Sequence, residues 1–257
     1  MLMASRYSRC YCRLRRHVPK KSINIIHVGK SQFNEAVAFM KNNFLDDPFL
    51  RAMGISIRHS ETQHFLSKLW LTLLRSVMYI IFTGLSFSAV YRQKICGLCI
   101  NCPRIQRGSH FSHDNDTLLE LAKLTQAKST RNLLLAWDKI DRGVIFPISK
   151  NNEVDNGREI KILELAGCTV DHYYRRLGIA RKMIQSSADM AMLMGFDYIR
   201  IDCTHEATAK ICNQLGWQKI WEMPFQMFDG VAESNSLATE NKSSTVRVFV
   251  KRVNSKL

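Results

Sequence analysis

The sequence lacks an apolar run long enough to cross a membrane. The best candidate, residues 69–90, is interrupted by Arg75, which leaves 15 residues that include polar Ser, Thr and Gly. A membrane-spanning helix needs roughly 20 consecutive, mainly apolar residues. We therefore expect the segment to divide into a helix over residues 65–77 and a strand after Gly84.

Acidic residues are also few. The 257 residues include 22 Asp and Glu but 37 Lys and Arg. The formal charge of +15 predicts attraction to anions but does not identify them. Residues 1–21 hold seven Lys and Arg and no acid. They lack the apolar core of a signal peptide, so we expect a cytoplasmic protein. An Arg-rich start also fits a mitochondrial transit peptide, but without a convincing amphipathic pattern we favour a basic, disordered tail.

Eight cysteines in such a chain do not indicate a disulfide framework. Cys96, Cys99 and Cys102 resemble part of an iron–sulfur run, but a fourth ligand is missing. Residues 94–102 are expected to pair with residues 85–90 as a hairpin. On a regular strand Cys96 and Cys102 would face one way and Cys99 the other, so we expect structural thiols and no metal.

The apolar pattern predicts one α/β domain, with a short tail at 253–257. Strands are expected near residues 23–28, 160–170, 196–203 and 246–250, and helices near residues 33–44, 118–140 and 179–195. Candidate core residues of the helix at 118–140 are Leu121, Leu124, Leu133 and Leu134. The crossover from residue 160 to residue 203 predicts a mixed central sheet with partly parallel pairing. His110 and His113 lie in a polar stretch that is typical of a surface loop.

A candidate anion site follows the strand at residues 160–170. Gly178 stands in a turn that opens a helix, and glycine lets the backbone approach a phosphate closely. The free N–H groups of the first helical turn and the positive end of the helix dipole favour a negative ligand. Arg175 and Arg176 add positive charge at the same turn. A turn of this composition also occurs for structural reasons, so the motif alone is weak.

The segments around this turn strengthen the prediction of an anion site. Arg175-Arg176-Leu177-Gly178-Ile179-Ala180 resembles motif A of the GNAT acyl-CoA N-acyltransferases, Q/R-x-x-G-x-G/A. Residues 208–228 resemble the helix, the "LGF" ending and the strand that follow in that family, with Trp217 for Phe. Residues 44–50 resemble the "FF-x-DEP-L" element of insect-type arylalkylamine N-acetyltransferases. The likeness covers residues 22–252 and is thin from 101 to 158.

The resemblance implies the GNAT fold, in which two parallel strands splay apart and admit the pantetheine arm of the acyl-CoA. Acetyl-CoA is the co-substrate that this likeness implies. The residues expected to bind it are Cys168, Val170, Arg175, Arg176, Gly178, Ile179 and Ala180.

The resemblance also implies a catalytic set. Asp47 stands where the insect-type group has the Glu that serves as base, and its side chain is one methylene shorter. Thr204 and Thr208 stand where that group has two functional Ser residues. Each has an alternative reading, because Asp47 before Pro48 is typical of a helix end and Thr204 suits a helix cap. Many GNAT enzymes have a Tyr that acts as general acid at the position of Cys212. Cys212 is expected to be a packed thiol instead.

The expected acceptor is the primary amine of an arylalkylamine, which attacks the acetyl group directly. Phe44, Phe49, Met223 and Phe225 flank the resembling elements and are candidates for an apolar slot around its ring, or else ordinary core residues. Another amine acceptor, such as a polyamine or a protein, and a non-catalytic acyl-CoA-binding module remain open. No recognisable nucleic-acid module is present, so we expect no specific nucleic-acid partner. The sequence does not determine the oligomeric state.

Overall fold

The structure, a computed structural model, describes residues 22–44, 47–55, 84–107, 115–126, 128–146, 159–231 and 244–253. The predictions for residues 1–21, for a helix at 65–77 and for His110 and His113 lie outside these residues. So does most of the tail expected at 253–257.

Seven strands in the described residues form one mixed sheet, in the order β1-β2-β3-β4-β5-β7-β6. The strands are β1 (Asn24–His27), β2 (Phe87–Tyr91), β3 (Lys94–Arg107), β4 (Glu159–Val170), β5 (Tyr198–Cys203), β6 (Gln218–Pro224) and β7 (Thr245–Arg252). Only β4 and β5 pair in parallel within this sheet of described strands, and the other neighbours are antiparallel. The mixed α/β sheet predicted from the sequence is therefore confirmed.

Six α-helices lie in the described ranges. They are α1 (Phe33–Phe44), α2 (Pro48–Ala52), α3 (Asn115–Leu124), α4 (Lys128–Gly143), α5 (Ile179–Leu193) and α6 (Glu206–Gln214). Helix α5 joins β4 to β5 and is the crossover that the sequence predicts. Of the helices that the structure describes, none has the length and apolar character needed to cross a membrane.

The helices cover both faces of the sheet. On one face α5 and α6 bury Met183 and Cys212 against Leu163, Ile199 and other apolar residues of the sheet. On the other face α2 and α4 bury their apolar residues against β4, β5 and β7, and α1 covers β3. The sheet is thus buried on both faces along β4 and β5, which explains why these strands read as nearly continuous apolar runs.

The helix predicted over residues 118–140 is in fact two helices, α3 and α4. The first ends where the Thr125 hydroxyl donates a 2.6 Å hydrogen bond to the Leu121 carbonyl, a local bond that competes with helix propagation. Leu133 and Leu134 are buried as expected, whereas Leu124 is 79% exposed. The prediction of Leu124 as core is wrong because the break ends the periodic pattern on which it relied.

The predicted hairpin is present as β2 and β3. However, Cys96 and Cys99 lie on the same face of the sheet, whereas the sequence predicts opposite faces. Cys96 has no partner between the Ala89–Gly97 and Val90–Ile95 pairs, so it forms a β-bulge. The extra residue shifts the alternation, and Cys96 joins Cys99 in the core under α5. A bulge cannot be read from regular strand alternation, which is why the predicted orientation was wrong.

A second irregularity separates β4 from β5. Ala166 has no partner in β3, because Asn101 pairs with Leu165 and Ile100 with Gly167. The parallel pairing of β4 with β5 ends at the same place, with Leu165 and Ile201 as the last pair. Strand β4 continues to Val170 beyond that point. The two parallel strands therefore separate after residue 165, as the splayed arrangement requires.

Candidate active site

The end of β4 presents backbone groups to the gap beside β5. The Asp171 N–H donates to the Cys96 carbonyl at 3.0 Å, which marks these two as a hydrogen-bonded pair. Pairs alternate along an antiparallel ladder, so Cys168 and Val170 occupy non-hydrogen-bonded positions relative to β3. Their N–H and C=O groups consequently point toward the gap. This is the geometry in which they could pair with the amides of an extended ligand.

The turn after β4 leads directly into α5. Gly178 is the N-cap of this helix and has φ of +81°, in the left-handed region that favours glycine. A Cβ at Gly178 would meet no atom within 4 Å, so the space above this backbone is open. The first helical bond runs from Lys182 N–H to the Gly178 carbonyl. The N–H groups of residues 179–181 thus have no acceptor within the helix and form an anion-binding helix end.

The other cofactor candidates surround this helix end. Arg175 and Arg176 are exposed, and the Arg175 guanidinium donates a 3.1 Å hydrogen bond to the Val170 carbonyl. Ala180 is half-buried, whereas the Ile179 side chain is buried in the core. Ile179 can therefore offer only its backbone N–H to a ligand. The structure brings the predicted cofactor residues together at one end of β4 and α5.

Asp47 has two sets of contacts. One carboxylate oxygen, Oδ1, accepts the N–H groups of Phe49 at 2.8 Å and Leu50 at 3.2 Å and so caps α2. The other, Oδ2, accepts the hydroxyl of Thr204 at 2.6 Å. Asp47 therefore begins α2 rather than ending α1, which corrects the alternative reading. The cap fixes the carboxylate, and one of its oxygens faces the end of β5.

The environment alters the acidity of Asp47. Burial raises the pKa of this carboxyl above its ordinary value, although the hydrogen bonds from Thr204, Leu50 and Phe49 and the nearby His205 oppose the rise. Burial disfavours the charged form, because the carboxylate loses water. A carboxylate with a raised pKa is a stronger proton acceptor, as a general base at neutral pH needs to be.

Thr204 does not cap α6, contrary to the alternative considered for it. The N-cap is His205, whose Nδ1 accepts the Ala207 N–H at 3.0 Å. The Thr204 hydroxyl is used instead in its bond to Asp47. Thr208 lies in the first turn of α6 and is half-buried. The structure joins Asp47 and Thr204 directly and places Thr208 four residues later, where its N–H donates to the His205 carbonyl at 3.0 Å.

The C-terminal end of α1 lies over the gap side of β4. A Cβ on Gly167 would lie 3.5 Å from the Phe44 ring, so this ring rests on the backbone of β4 just past the bulge. The Thr169 hydroxyl donates to the Asn43 carbonyl at 3.3 Å. The Asp47 N–H donates to the Phe44 carbonyl at 3.1 Å. The base candidate is thus tied to β4 through α1 and to β5 through Thr204.

The four candidate slot residues divide into two pairs. Phe49 and Phe225 are buried, and their ring centroids lie 5.1 Å apart. They pack on each other in the core, together with Phe228. Phe44 and Met223 are half-buried at the edge of the same cluster. Phe44 and Met223 are therefore the better placed of the four to contact a ligand.

Cys212 is fully buried in the core, and its sulfur lies 3.8 Å from that of Cys203. Burial raises the pKa of the Cys203 thiol well above its ordinary value. Cys212 is thus the packed thiol that the sequence predicts. Within the described residues, no three His, Cys, Asp or Glu side chains form a group that could hold a metal ion.

Sequence reasoning missed an ionic network around the buried Arg200 of β5. Arg200 is fully buried and pairs with Asp141 of α4 at 2.8 Å and with Asp202 at 2.7 Å. Arg104 of β3 pairs with Asp141 at 2.9 Å and with Glu164 at 2.7 Å. Burial raises the pKa of Asp202, although Arg200 opposes the rise. The signal available in the sequence was a pair of charged residues alternating with isoleucine in β5.

No protein-family model matches the sequence, and no curated protein matches it either. The structure is similar to arylalkylamine N-acetyltransferase 2 from Aedes aegypti, with a TM-score of 0.66, 17% identity and coverage of 90% of this chain and 99% of that one. Mosquito arylalkylamine N-acetyltransferase like 5b gives a TM-score of 0.66 at 16% identity, over 90% and 100% of the two chains. The Drosophila melanogaster polyamine N-acetyltransferase, described as forming N-acetylagmatine, gives 0.64 at 14% identity, over 90% and 99%.

At identities this low, the structural similarity is evidence of a shared fold only. That similarity extends over nearly all of each solved chain. It agrees with the separation of β4 from β5 and with the glycine turn that opens α5. This chain therefore has the GNAT fold, the one expected from its motif A and found in arylalkylamine and polyamine N-acetyltransferases.

Proposed function

We propose that this chain is an acetyl-CoA-dependent N-acetyltransferase that acetylates the primary amine of an arylalkylamine of the dopamine, serotonin, tyramine or octopamine type. The observation that carries the proposal is the 2.6 Å hydrogen bond from Thr204 to Asp47. This bond holds a half-buried carboxylate at the end of β5. The fold shared with arylalkylamine N-acetyltransferases of mosquitoes supports the acceptor class.

The end of β4 and the start of α5 hold acetyl-CoA in this proposal. The free backbone N–H groups of residues 179–181 and the positive end of the helix dipole bind the phosphates. The Arg175 and Arg176 side chains add charge at the same place. The outward backbone groups of Cys168 and Val170 pair with the pantetheine amides. None of these contacts needs a metal ion.

Asp47 removes the proton that prevents the amine from attacking. An alkylamine with a pKa near ~10.4 is mostly protonated at pH 7, which costs roughly 4–5 kcal/mol if nothing accepts the proton. Asp47 accepts it directly or through one water molecule. The raised pKa of this carboxyl makes the transfer more favourable. The neutral amine then attacks the thioester carbonyl, the C–S bond breaks, and the second proton of the amine nitrogen passes to the departing thiolate to give the thiol.

The two threonines have different roles in this scheme. Thr204 donates its hydroxyl proton to Asp47, so it orients the base. Thr208 lies four residues further along the chain and is the candidate to relay the second amine proton to the leaving thiolate. A thiol with a pKa of about 8.5 needs only a weak donor. Phe44 and Met223, half-buried at the edge of the core, line the slot for the aromatic ring.

A polyamine or agmatine acceptor is the second candidate. The specific observation in its favour is the fold similarity to the Drosophila polyamine N-acetyltransferase. Asp47 would serve as base for this class as well, because the amine is equally protonated at neutral pH. The difference lies in the remainder of the acceptor, where an aromatic ring is replaced by a second cation.

A thiol-release assay with acetyl-CoA tests both candidates. The panel holds tyramine, dopamine and serotonin on one side, and agmatine, putrescine and spermidine on the other. We expect the highest kcat/KM for an arylalkylamine, and hydrolysis without amine serves as the background. A preference for agmatine or a polyamine would overturn the acceptor class. Acetyl-CoA binding with no thiol release for any amine would indicate a non-catalytic acyl-CoA-binding module.

A further inference from the structure

Histidine caps α6, a position at which Ser, Thr, Asp and Asn are the usual residues. His205 has the extended backbone of an N-cap, with φ −125° and ψ 133°. Its Nδ1 accepts the Ala207 N–H at 3.0 Å. An imidazole nitrogen that accepts a hydrogen bond carries no proton, so the neutral ring holds its proton on Nε2. The cap thus fixes one tautomer of His205.

Protonation is incompatible with this cap. Both nitrogens of an imidazolium are donors, so the Ala207 N–H would lose its acceptor. The positive end of the α6 dipole also disfavours a positive charge at this position. The usual capping residues do not behave in this way, because histidine is the side chain that ordinarily changes charge between pH 5 and 8. Only the neutral form of His205 can therefore cap α6.

The cap lies between the two candidate catalytic threonines. Thr204 immediately precedes His205, and Thr208 lies in the turn that His205 caps. Positive charge on His205 also lowers the pKa of Asp47 and so weakens it as a base. Glu206, the residue after His205, interacts with the positive charges of Lys210 on α6 and of Arg247 on β7, with which it pairs, as well as with His205. Loss of the cap and a weaker base act in the same direction.

We propose that His205 is a positioning residue whose neutral form holds the start of α6 and the Thr204–Asp47 pair in place, so that its protonation reduces turnover below neutral pH. This role rests on the proposed N-acetyltransferase function. His205 acts through Thr204, Thr208 and Asp47 and makes no contact with the acetyl group.

The cap itself is tested without any assay of activity. Nitrogen-15 chemical shifts of the ring, assigned by comparison with H205N, should show an unprotonated Nδ1 and a protonated Nε2 at pH 8. Hydrogen exchange of the Ala207 amide, corrected for intrinsic rate, should show protection that falls toward pH 5.5 in the wild type. In H205N the protection should persist, because Asn caps a helix without titrating. The opposite tautomer, or equal behaviour of both proteins, would overturn the cap.

Rate measurements test the positioning role. Wild-type log kcat/KM should fall more steeply toward low pH than that of H205N, in which the cap cannot be lost by protonation and Asp47 alone supplies the acid limb. H205N should keep most wild-type turnover at pH 8, and H205A should lose turnover at every pH. Identical profiles in active wild-type protein and H205N would overturn the role of His205. Absence of acetyl transfer in the wild type would instead overturn the proposed function.

Discussion

Asp47 and Thr204 lie 157 residues apart in the sequence, and the Thr204 hydroxyl donates a 2.6 Å hydrogen bond to the Asp47 carboxylate. This bond connects the N-terminus of α2 to the end of β5 across the place where β4 and β5 separate. The second oxygen of the same carboxylate caps α2. The Asp47 side chain thus caps a helix and also supplies the candidate general base.

Asp47→Asn should lower the acetylation rate on the order of 10²-fold, as is typical for the loss of a general base. The variant should remain folded, because Asn caps a helix as well as Asp does. Acetyl-CoA affinity should change little, since Asp47 is not expected to contact the cofactor. Single-turnover rates, calorimetry and melting curves measure these effects. Normal single-turnover chemistry in Asp47→Asn would remove the assignment of Asp47 as base.

Thr204→Val should move the acid limb of the rate profile to higher pH. The hydrogen bond from Thr204 lowers the pKa of Asp47, so its removal should raise that pKa further. The reaction needs ionised Asp47, and a higher pKa means that ionisation requires a higher pH. Thr204→Ser keeps the hydroxyl and is the matched control, with a profile close to wild type. An unshifted limb in Thr204→Val would show that the bond does not tune Asp47.

Gly178→Val should remove most acetyl-CoA affinity. Valine is strained at positive φ and would crowd the backbone that faces the phosphates. Gly195, at the other end of α5, has φ of +74° against +81° for Gly178, and a Cβ at either position meets nothing within 4 Å. Gly195→Val therefore imposes a similar strain away from the anion site. Calorimetry should show lost affinity only for Gly178→Val, and equal affinities in the two folded variants would contradict the site.

Arg200→Met should lower the free energy of unfolding by about 3–5 kcal/mol, because it leaves the buried Asp141 and the half-buried Asp202 without their shared guanidinium. Lys123→Met is the contrasting variant, since Lys123 and Glu120 form an exposed pair with side chains 70% and 62% accessible. We expect its effect to stay below about 1 kcal/mol. Urea unfolding of both variants measures the difference. Similar small effects would show that the network contributes little.

Deletion of residues 2–21 should leave turnover and acetyl-CoA affinity near the full-length values. The segment is basic and precedes the domain that we expect at residues 22–252, whose first strand begins at Asn24. Weak binding to nucleic acid, if the full chain shows any, should disappear with the segment and with added salt. Steady-state kinetics of the two proteins provide the comparison. A large loss of turnover in a folded truncated protein would place residues 1–21 in the active domain.

Local apolar patterns in the sequence were sufficient to predict most of the fold. The apolar runs predicted β4 and β5, and the spacing of Ile179, Met183 and Ile184 predicted the buried face of α5. These features depend on neighbours in the chain, because strand and helix periods are local properties. Motif A likewise placed its glycine at a helix start, where the structure has Gly178 as N-cap.

The sequence by itself therefore determined the α/β class, the crossover helix and the candidate anion site. Only the tertiary structure decided the bulges at Cys96 and Ala166, the use of His205 rather than Thr204 as cap, and the contact of Thr204 with Asp47. The position of a bulge depends on which residue is left unpaired between two strands. The acceptor of a hydroxyl depends on which distant segments pack beside it. Such choices follow from long-range packing, which no local period encodes.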